Sequence, residues 1–343
     1  MPKHDFATHG AVEAAYLSRI SEKLSDQEVF AEYATWLSDV DKEASDFVRA
    51  YSNSAFNGLP VPAPATHRSQ SWHRMLGYSF GDTGRSWHEK IREVPGPVRA
   101  AVESWVRPIV TMAATACTTA DLPLGGSRFL GAPDLPEEFP WPTCAHGPLR
   151  FQVQIDFREL SHTVATHRYG LPQDGWVVLF AFDDDGKTGI QPGVVDRDGD
   201  GEIREIPDLT HVAYIPASAK LVRFNIPAKT TPWKGKDLAC HVTFGESLDI
   251  PWAADTDDRL LKDREVAAWM NNMRGGWDSK LMGYPMHGRT DNTSPGPDWL
   301  NLFTLGSIDE TGWCWCDGQD LDVYVHANGV RDRSFRPFYG YAA

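Results

Sequence analysis

A series of short motifs occurs twice, in the same order, in the last two-thirds of the chain. The first copy reads Gly125-Gly126-Ser-Arg-Phe-Leu-Gly131-Ala-Pro133, then Trp141, then Phe151-Gln-Val-Gln154-Ile155-Asp156, then Leu171-Pro-Gln-Asp174-Gly175. The second reads Gly275-Gly276-Trp-Asp-Ser-Lys-Leu-Met-Gly283-Tyr-Pro285, then Trp299, then Leu305-Gly-Ser307-Ile308-Asp309, then Cys316-Asp317-Gly318. Gly131 and Asp156 are 25 positions apart, Gly283 and Asp309 are 26 apart, and only the intervals across the loops change. Loops tolerate such changes and frameworks do not. A repeated unit buries its apolar face against its copy, so we expect one domain over 120–343 made of two related halves, about 120–230 and 270–343.

The local patterns within this region are those of strands. Short β-prone runs occupy Arg150 to Asp156, Gly175 to Phe182, His211 to Ile215, Lys220 to Ile226 and Leu321 to His326, separated by Gly and Pro. The unbroken apolar run Val177 to Phe182 predicts a strand buried on both faces. Residues 1–115 read differently. Val12, Ala15, Tyr16, Ile20 and Leu24 follow helical spacing, as do Phe30, Tyr33, Trp36, Leu37 and Val40. A third helical pattern runs from Val98 to Ile109 behind Pro97, and Pro108 is expected to end or kink it. Gly58 to Pro64 predicts an extended connector. The expected fold class is therefore α+β: an N-terminal helical segment followed by a mostly β, internally duplicated, two-lobed domain.

The duplicated motifs also carry a resemblance. Gly125 to Trp141, Phe151 to Phe157 and Leu171-Pro172 with Gly175 resemble the opening signature of the YwqG-like family of bacterial proteins. Lys280 to Pro285, Trp299-Leu300 and Trp315 to Gly318 resemble its closing signature, so the likeness covers roughly 120–340. Two positions depart from the pattern: Ala132 stands where the second copy has Tyr284, and Ser307 stands where a Gln is expected. The resemblance implies a two-lobed β domain with a pseudo-twofold relation between its halves. Some relatives occur in settings that suggest toxin neutralisation or other protein binding. Gln27 to Tyr51 resembles a short helical module that accompanies repeat arrays in bacteria, which implies a packing or docking unit.

Charge and hydropathy narrow the partners. Asp and Glu total 47 against 33 Lys and Arg, a formal net charge of −14. Such a surface repels nucleic-acid phosphates and anionic lipid and attracts a basic partner. No stretch reaches the roughly 18–20 apolar residues of a membrane-spanning helix, and Met1 to Gly10 has no apolar secretory core. Five cysteines without a dense framework point to free thiols and a reducing compartment, so a cytoplasmic location is expected.

Four groups of residues could carry chemistry, and each has a plain structural reading beside it. Asp196, Asp198, Asp200 and Glu202 match the core of a calcium-binding loop, but Pro207 stands where the bidentate Glu belongs. An acidic hairpin turn explains the same residues without metal. Cys314 and Cys316, with Cys144, His146, Cys240 and His241, could assemble a zinc site, although buried thiols acting as small hydrophobes suffice. The repeated Ser71-Trp72-His73 and Ser86-Trp87-His88 could supply acid–base histidines, or each Ser could cap a helix above a packed Trp. Asp156 and Asp309, equivalent in the repeat, could act as paired carboxylates of a hydrolase on a carbohydrate or similar polar substrate. Or each could cap the turn after its strand. The leading expectation is a non-enzymatic, monomeric binding protein of immunity type without a required cofactor, engaging a protein partner through its acidic surface. Its site would lie between the halves, flanked by Trp141, Gln154, Asp156, Trp299, Asp309 and Asp317.

Overall fold

The computed structural model describes residues 6–78, 86–94, 96–183, 192, 196–197, 203–204, 209–227, 230, 238–252, 266–268, 270, 279–286, 296, 298–308, 313–315 and 320–342. It opens with α1 (Phe6–Glu22), α2 (Gln27–Val40) and α3 (Lys42–Asn57). Asp26 starts α2 by accepting hydrogen bonds from the backbone N–H groups of Glu28 and Val29. Asp41 does the same for α3 through Ala44, so one residue both ends α2 and starts the next helix. Three shorter helices follow: α4 (Gln70–Met75), α5 (Trp87–Glu93) and α6 (Gly96–Ser104). Together they bury Leu17, Ile20, Phe30, Tyr33, Leu37, Phe47, Val48 and Tyr51 in one apolar core. Val12 and Val40, expected on the buried stripe, are 48% and 42% exposed. Val12 is the first residue of its pattern and Val40 the last.

The expected third helix is cut short. α6 stops at Ser104, and Arg107 begins β1 (Arg107–Cys117), an 11-residue strand inside the segment predicted to be helical. Pro108 cannot donate the hydrogen bond a helix would require there. The remaining elements are β2 (Arg128–Leu130), β3 (Asp134–Pro136), β4 (Thr143–Cys144), β5 (Gly147–Pro148), β6 (Arg150–Asp156), α7 (Val164–Tyr169), β7 (Trp176–Ala181), β8 (Asp196–Arg197), β9 (Ile203–Arg204), β10 (Thr210–Ile215), β11 (Leu221–Arg223), β12 (Ala239–Asp249), β13 (Ser279–Leu281), β14 (Trp299–Leu305), β15 (Leu321–His326) and β16 (Phe338–Ala342). A short helix, Ala327–Arg331, joins the last two strands. Among the described residues, no helix is long and apolar enough to cross a membrane.

Ten of these strands form one antiparallel sheet in the order β10-β7-β6-β2-β12-β1-β13-β14-β15-β16. The duplication is visible in that order. β1 leads the first half and β12 leads the second, and each has crossed over: β12 pairs with β2, while β1 pairs with β13. The two leaders pair with each other along their whole length, from Arg107↔Asp249 to Cys117↔Ala239. Neither half can complete its sheet without the other's first strand.

Every strand of the sheet places side chains in one interior cluster, from Val110 on β1 and Cys240 on β12 to Val212 on β10 and Ala342 on β16. The sheet therefore curls around its own core as a near-barrel. Its two ends meet side by side, where a side chain added at Gly340 would collide with Thr210. β7 is buried on both faces as expected, with Val177, Leu179 and Ala181 inward and Val178, Phe180 and Phe182 in a separate outer cluster.

Candidate functional site

Where the two ends of the barrel meet, the surface opens into a groove of about 580 Å³. β10 forms its floor from Thr210 to Tyr214, the approach to β16 gives Ser334, Arg336 and Phe338, and Phe139 to Thr143 forms the facing wall. β10 pairs with β7 along one edge, and no ladder joins its other edge to β16 among the described residues.

The wall is held by aromatic packing. The Trp141 indole N–H donates to the Leu149 carbonyl at 2.8 Å. Its ring meets Phe180 edge-on at 5.1 Å and stacks on Phe224 at 5.8 Å. Phe139 stacks on Phe180 at 6.0 Å, and the His211 ring sits edge-on to Phe338 at 5.7 Å. Tyr214 donates from its hydroxyl to the Asp174 carbonyl at 3.1 Å, and burial pushes its pKa up. The Arg336 guanidinium lies over the Phe338 ring, 5.7 Å from its centre. The groove thus offers flat apolar faces and a cation. A second cavity, of about 30 Å³ beside Gly131, Arg150 and Trp313, has room for about one water.

Of the residues expected from the sequence, Trp141 lines this groove. Gln154 does not: it is fully buried, its side-chain carbonyl accepts the Asp134 N–H at 2.9 Å, and its amide nitrogen has no hydrogen-bond partner among the described residues. Asp156 caps the turn after β6 by accepting from the Arg158 backbone N–H at 3.0 Å, and the Arg158 side chain closes on it at 2.6 Å. Trp299 begins β14 in the other half, edge-on to its cross-strand neighbour His326. Asp309 and Asp317 lie outside the described residues.

The register also corrects the pairing of Asp156 with Asp309. Arg128 stands opposite Gln154, and Lys280 stands opposite Thr304. Both strands carry a bulge, at Gln152 and at Leu302. Gln154 therefore corresponds to Thr304 and Asp156 to Gly306, three residues before the match that the sequence suggests. The reason is local: Ser307-Ile308-Asp309 looks like Gln154-Ile155-Asp156, but Ile308 lies past the end of β14 and bridges to Trp313.

Asp196 sits at the start of the β8–β9 hairpin, paired with Arg204, while Asp198, Asp200 and Glu202 lie outside the described residues. Cys240 is buried in the barrel interior as expected of a small hydrophobe, but Cys314 is exposed. Cys316 lies outside the described residues. Among the described residues no group of three or more His, Cys, Asp or Glu is placed to hold a metal.

The repeated Ser-Trp-His motifs are structural in two different ways. Ser86 caps α5 in a capping box with Glu89, but α4 is capped by Ser69. The Ser71 hydroxyl instead accepts the Glu246 N–H at 2.9 Å, tying α4 to β12. His73 and His88 are both buried, and burial lowers the pKa of each, that of His88 to about 4. His88 packs between Phe30, Tyr51 and Phe56.

His211, Tyr214, Arg336 and Phe338 are the groove residues that sequence reasoning missed. The alternating run His211 to Ile215 announced a strand, but nothing local announced that it would stand at the end of the sheet, beside β16. The proline-flanked rings of Phe139-Pro-Trp141-Pro142 were the available signal for a rigid wall.

No curated protein matches this chain. The profile of the family described as Domain of unknown function (DUF1963) matches residues 127–340, from the start of β2 into β16 and over more than half the chain, and the chain belongs to that family.

Proposed function

We propose that this protein is a non-enzymatic cytoplasmic binding module that engages a protein partner through the groove at the barrel seam. The observation that carries this reading is the aromatic-walled groove of about 580 Å³ at the seam, where no ladder joins β10 to β16 among the described residues. Concave surfaces with flat aromatic walls and a few polar groups are where proteins most often take up a partner's side chains. The net charge of −14 turns nucleic acid and anionic membrane away from the surface as a whole. The likeness to YwqG-like proteins, some of whose relatives suggest toxin neutralisation, supports the same class of function.

The test is site-specific photocrosslinking. A benzophenone side chain at Ala213, on the groove floor, should trap one dominant partner from the native lysate, and Ser334→Trp on the opposite side should abolish the adduct. An adduct pattern that Ser334→Trp leaves unchanged would remove the groove from the reading.

A further inference from the structure

We propose that Leu59 to Pro64, the proline-rich strap between α3 and α4, is a second interaction surface. Its partner is a domain whose groove is lined with aromatic rings and carries a carboxylate at one end. This goes beyond the reading above and uses none of the residues of the seam groove.

The strap's conformation is written into its sequence. Pro60, Pro62 and Pro64 each fix φ at about −65°, and each drives the residue before it, Leu59, Val61 or Ala63, out of the helical region. The two constraints alternate along six residues, which favours the left-handed polyproline helix with three residues per turn. The structure has no helix, turn or ladder from Leu59 to Ala65. Exposure follows the three-residue period. Val61 packs against the helical core and Pro64 is half-buried, whereas Pro60 and Ala63, each one residue earlier, are exposed. Leu59 is 48% exposed and extends the apolar ridge.

Both ends of the strap are held. Gly58 closes α3 in left-handed backbone, and the Leu59 N–H returns to the Ser54 carbonyl at 3.0 Å. The Ala65 N–H donates to His73 Nε2 at 3.0 Å. Between these points the N–H groups of Val61 and Ala63 have no hydrogen-bond partner among the described residues. The same holds for the carbonyls of Leu59, Pro60, Val61 and Ala63. Backbone this constrained has little conformational freedom to lose on binding. Proteins recognise such segments with grooves of aromatic rings, which pack on the proline faces.

The carboxylate follows from Arg92 on α5. A Cβ at Gly58 would lie 3.4 Å from the Arg92 guanidinium, so a cation stands just before Leu59. Arg92 makes no ion pair among the described residues. A carboxylate at that end of the partner's groove gains a charge-assisted hydrogen bond and fixes the direction in which the strap lies.

The experiment probes an array of purified SH3, WW and EVH1 domains, which carry aromatic grooves of this kind, with the labelled full chain. Domains that bind should lose about tenfold or more in affinity for Pro60→Ser and for Leu59→Asp. Both residues are exposed, so neither variant disturbs the core. Val40→Asp, which puts the same charge on an exposed apolar residue of α2, should bind as wild type does. Ser334→Trp in the seam groove should also leave these affinities unchanged, so failure here and failure of the seam reading are told apart. Arg92→Glu should weaken binding severalfold, most at low salt. No binding by any domain, or affinities that Pro60→Ser and Leu59→Asp leave unchanged, would overturn the proposal. Loss on Ser334→Trp alone would move the contact to the seam and overturn it as well. A silent Arg92→Glu would overturn the carboxylate and leave the aromatic groove standing.

Discussion

The two halves of the barrel bury the same kind of cation in the same place and neutralise it from different directions. Arg128 on β2 and Lys280 on β13 are equivalent by register, and both are fully buried. Arg128 pairs with Asp134, six residues further along its own half, which also takes Arg223 at 2.5 Å. Lys280 pairs at 2.6 Å with Asp249, at the end of the strand that leads its half. The position matching Asp249 in the first half is Thr119. Its hydroxyl accepts the Ala132 N–H at 3.2 Å, just as Asp249 accepts the Tyr284 N–H at 3.1 Å. The corner between them is repeated as well: Leu130-Gly131 and Met282-Gly283 both adopt left-handed backbone. Backbone geometry is thus tightly copied while the counter-charge has moved. Guanidinium chemistry accounts for the freedom. Arg128 also donates to the carbonyls of Pro123, Gly126 and Ala132, and its five donors need less from a carboxylate than the compact ammonium of Lys280 does.

The largest effect should come from removing the second half's carboxylate. Asp249→Ala removes the carboxylate 2.6 Å from a buried ammonium and should cost about 3–5 kcal/mol in urea denaturation. Asp134→Ala should cost less, about 2–3 kcal/mol, because both arginines keep carbonyl acceptors. Adding Thr119→Asp to Asp134→Asn should recover part of that loss by rebuilding the second half's arrangement in the first. If Asp134→Ala proves the costlier of the two, the account of the difference is wrong.

Next come the repeated glycines. At Gly131 (φ 71°) a Cβ would meet Thr119 Oγ1 at 2.5 Å, and at Gly283 (φ 89°) it would meet Ile109 at 2.5 Å. Ala at either position should cost about 1–3 kcal/mol, and the two costs should be similar. A silent substitution at one of them would break the equivalence of the halves.

A pH effect separates the halves further. Glu246 on β12 corresponds to the exposed Ala116 on β1, and the difference is the helical layer, which covers only one end of the central strand pair. Glu246 accepts the Val164 N–H at 2.6 Å beneath α4, and burial, with Glu13 nearby on α1, raises its pKa to about 7. A carboxyl whose folded pKa exceeds its ordinary 4.5 contributes stability that is whole below about 4.5 and lost as pH rises through about 7. Wild type minus Glu246→Gln should therefore decline by about 2–3 kcal/mol across that window. His88 works in the opposite sense, losing stability as pH falls towards 4, and cancels in the difference. A flat difference curve would mean that the helical layer does not seal this carboxyl.

The smallest change is expected at Asp156→Asn. Asn still caps the turn, and the partner lost, Arg158, is 57% exposed. A cost under about 1 kcal/mol should follow. A much larger one would mean that Asp156 does more than hold its turn.

The elements most legible in the sequence were those with one strong local pattern. Arg150 to Asp156 and Leu321 to His326 were read to the residue, because alternation or a solid apolar run marks a half- or fully buried strand. β1 and β12 were missed, although they are the longest strands. Arg107 to Cys117 buries its first half under helices and exposes much of its second, so no single period runs through it. The candidate site was less legible: Trp141 was found because it is a bulky ring in a repeated framework, whereas Arg336 and His211 stand in no motif.

Taken alone, the sequence determined that this chain has a helical front and a duplicated β region, because capping residues, periodicity and repeated glycine corners act over a few positions. Only the tertiary structure decided that the halves exchange their leading strands, which carboxylate lies beside each buried cation, and that the ends of the sheet come side by side. Those outcomes depend on residues far apart in the chain coming within ångströms of one another, and no local pattern encodes such a distance.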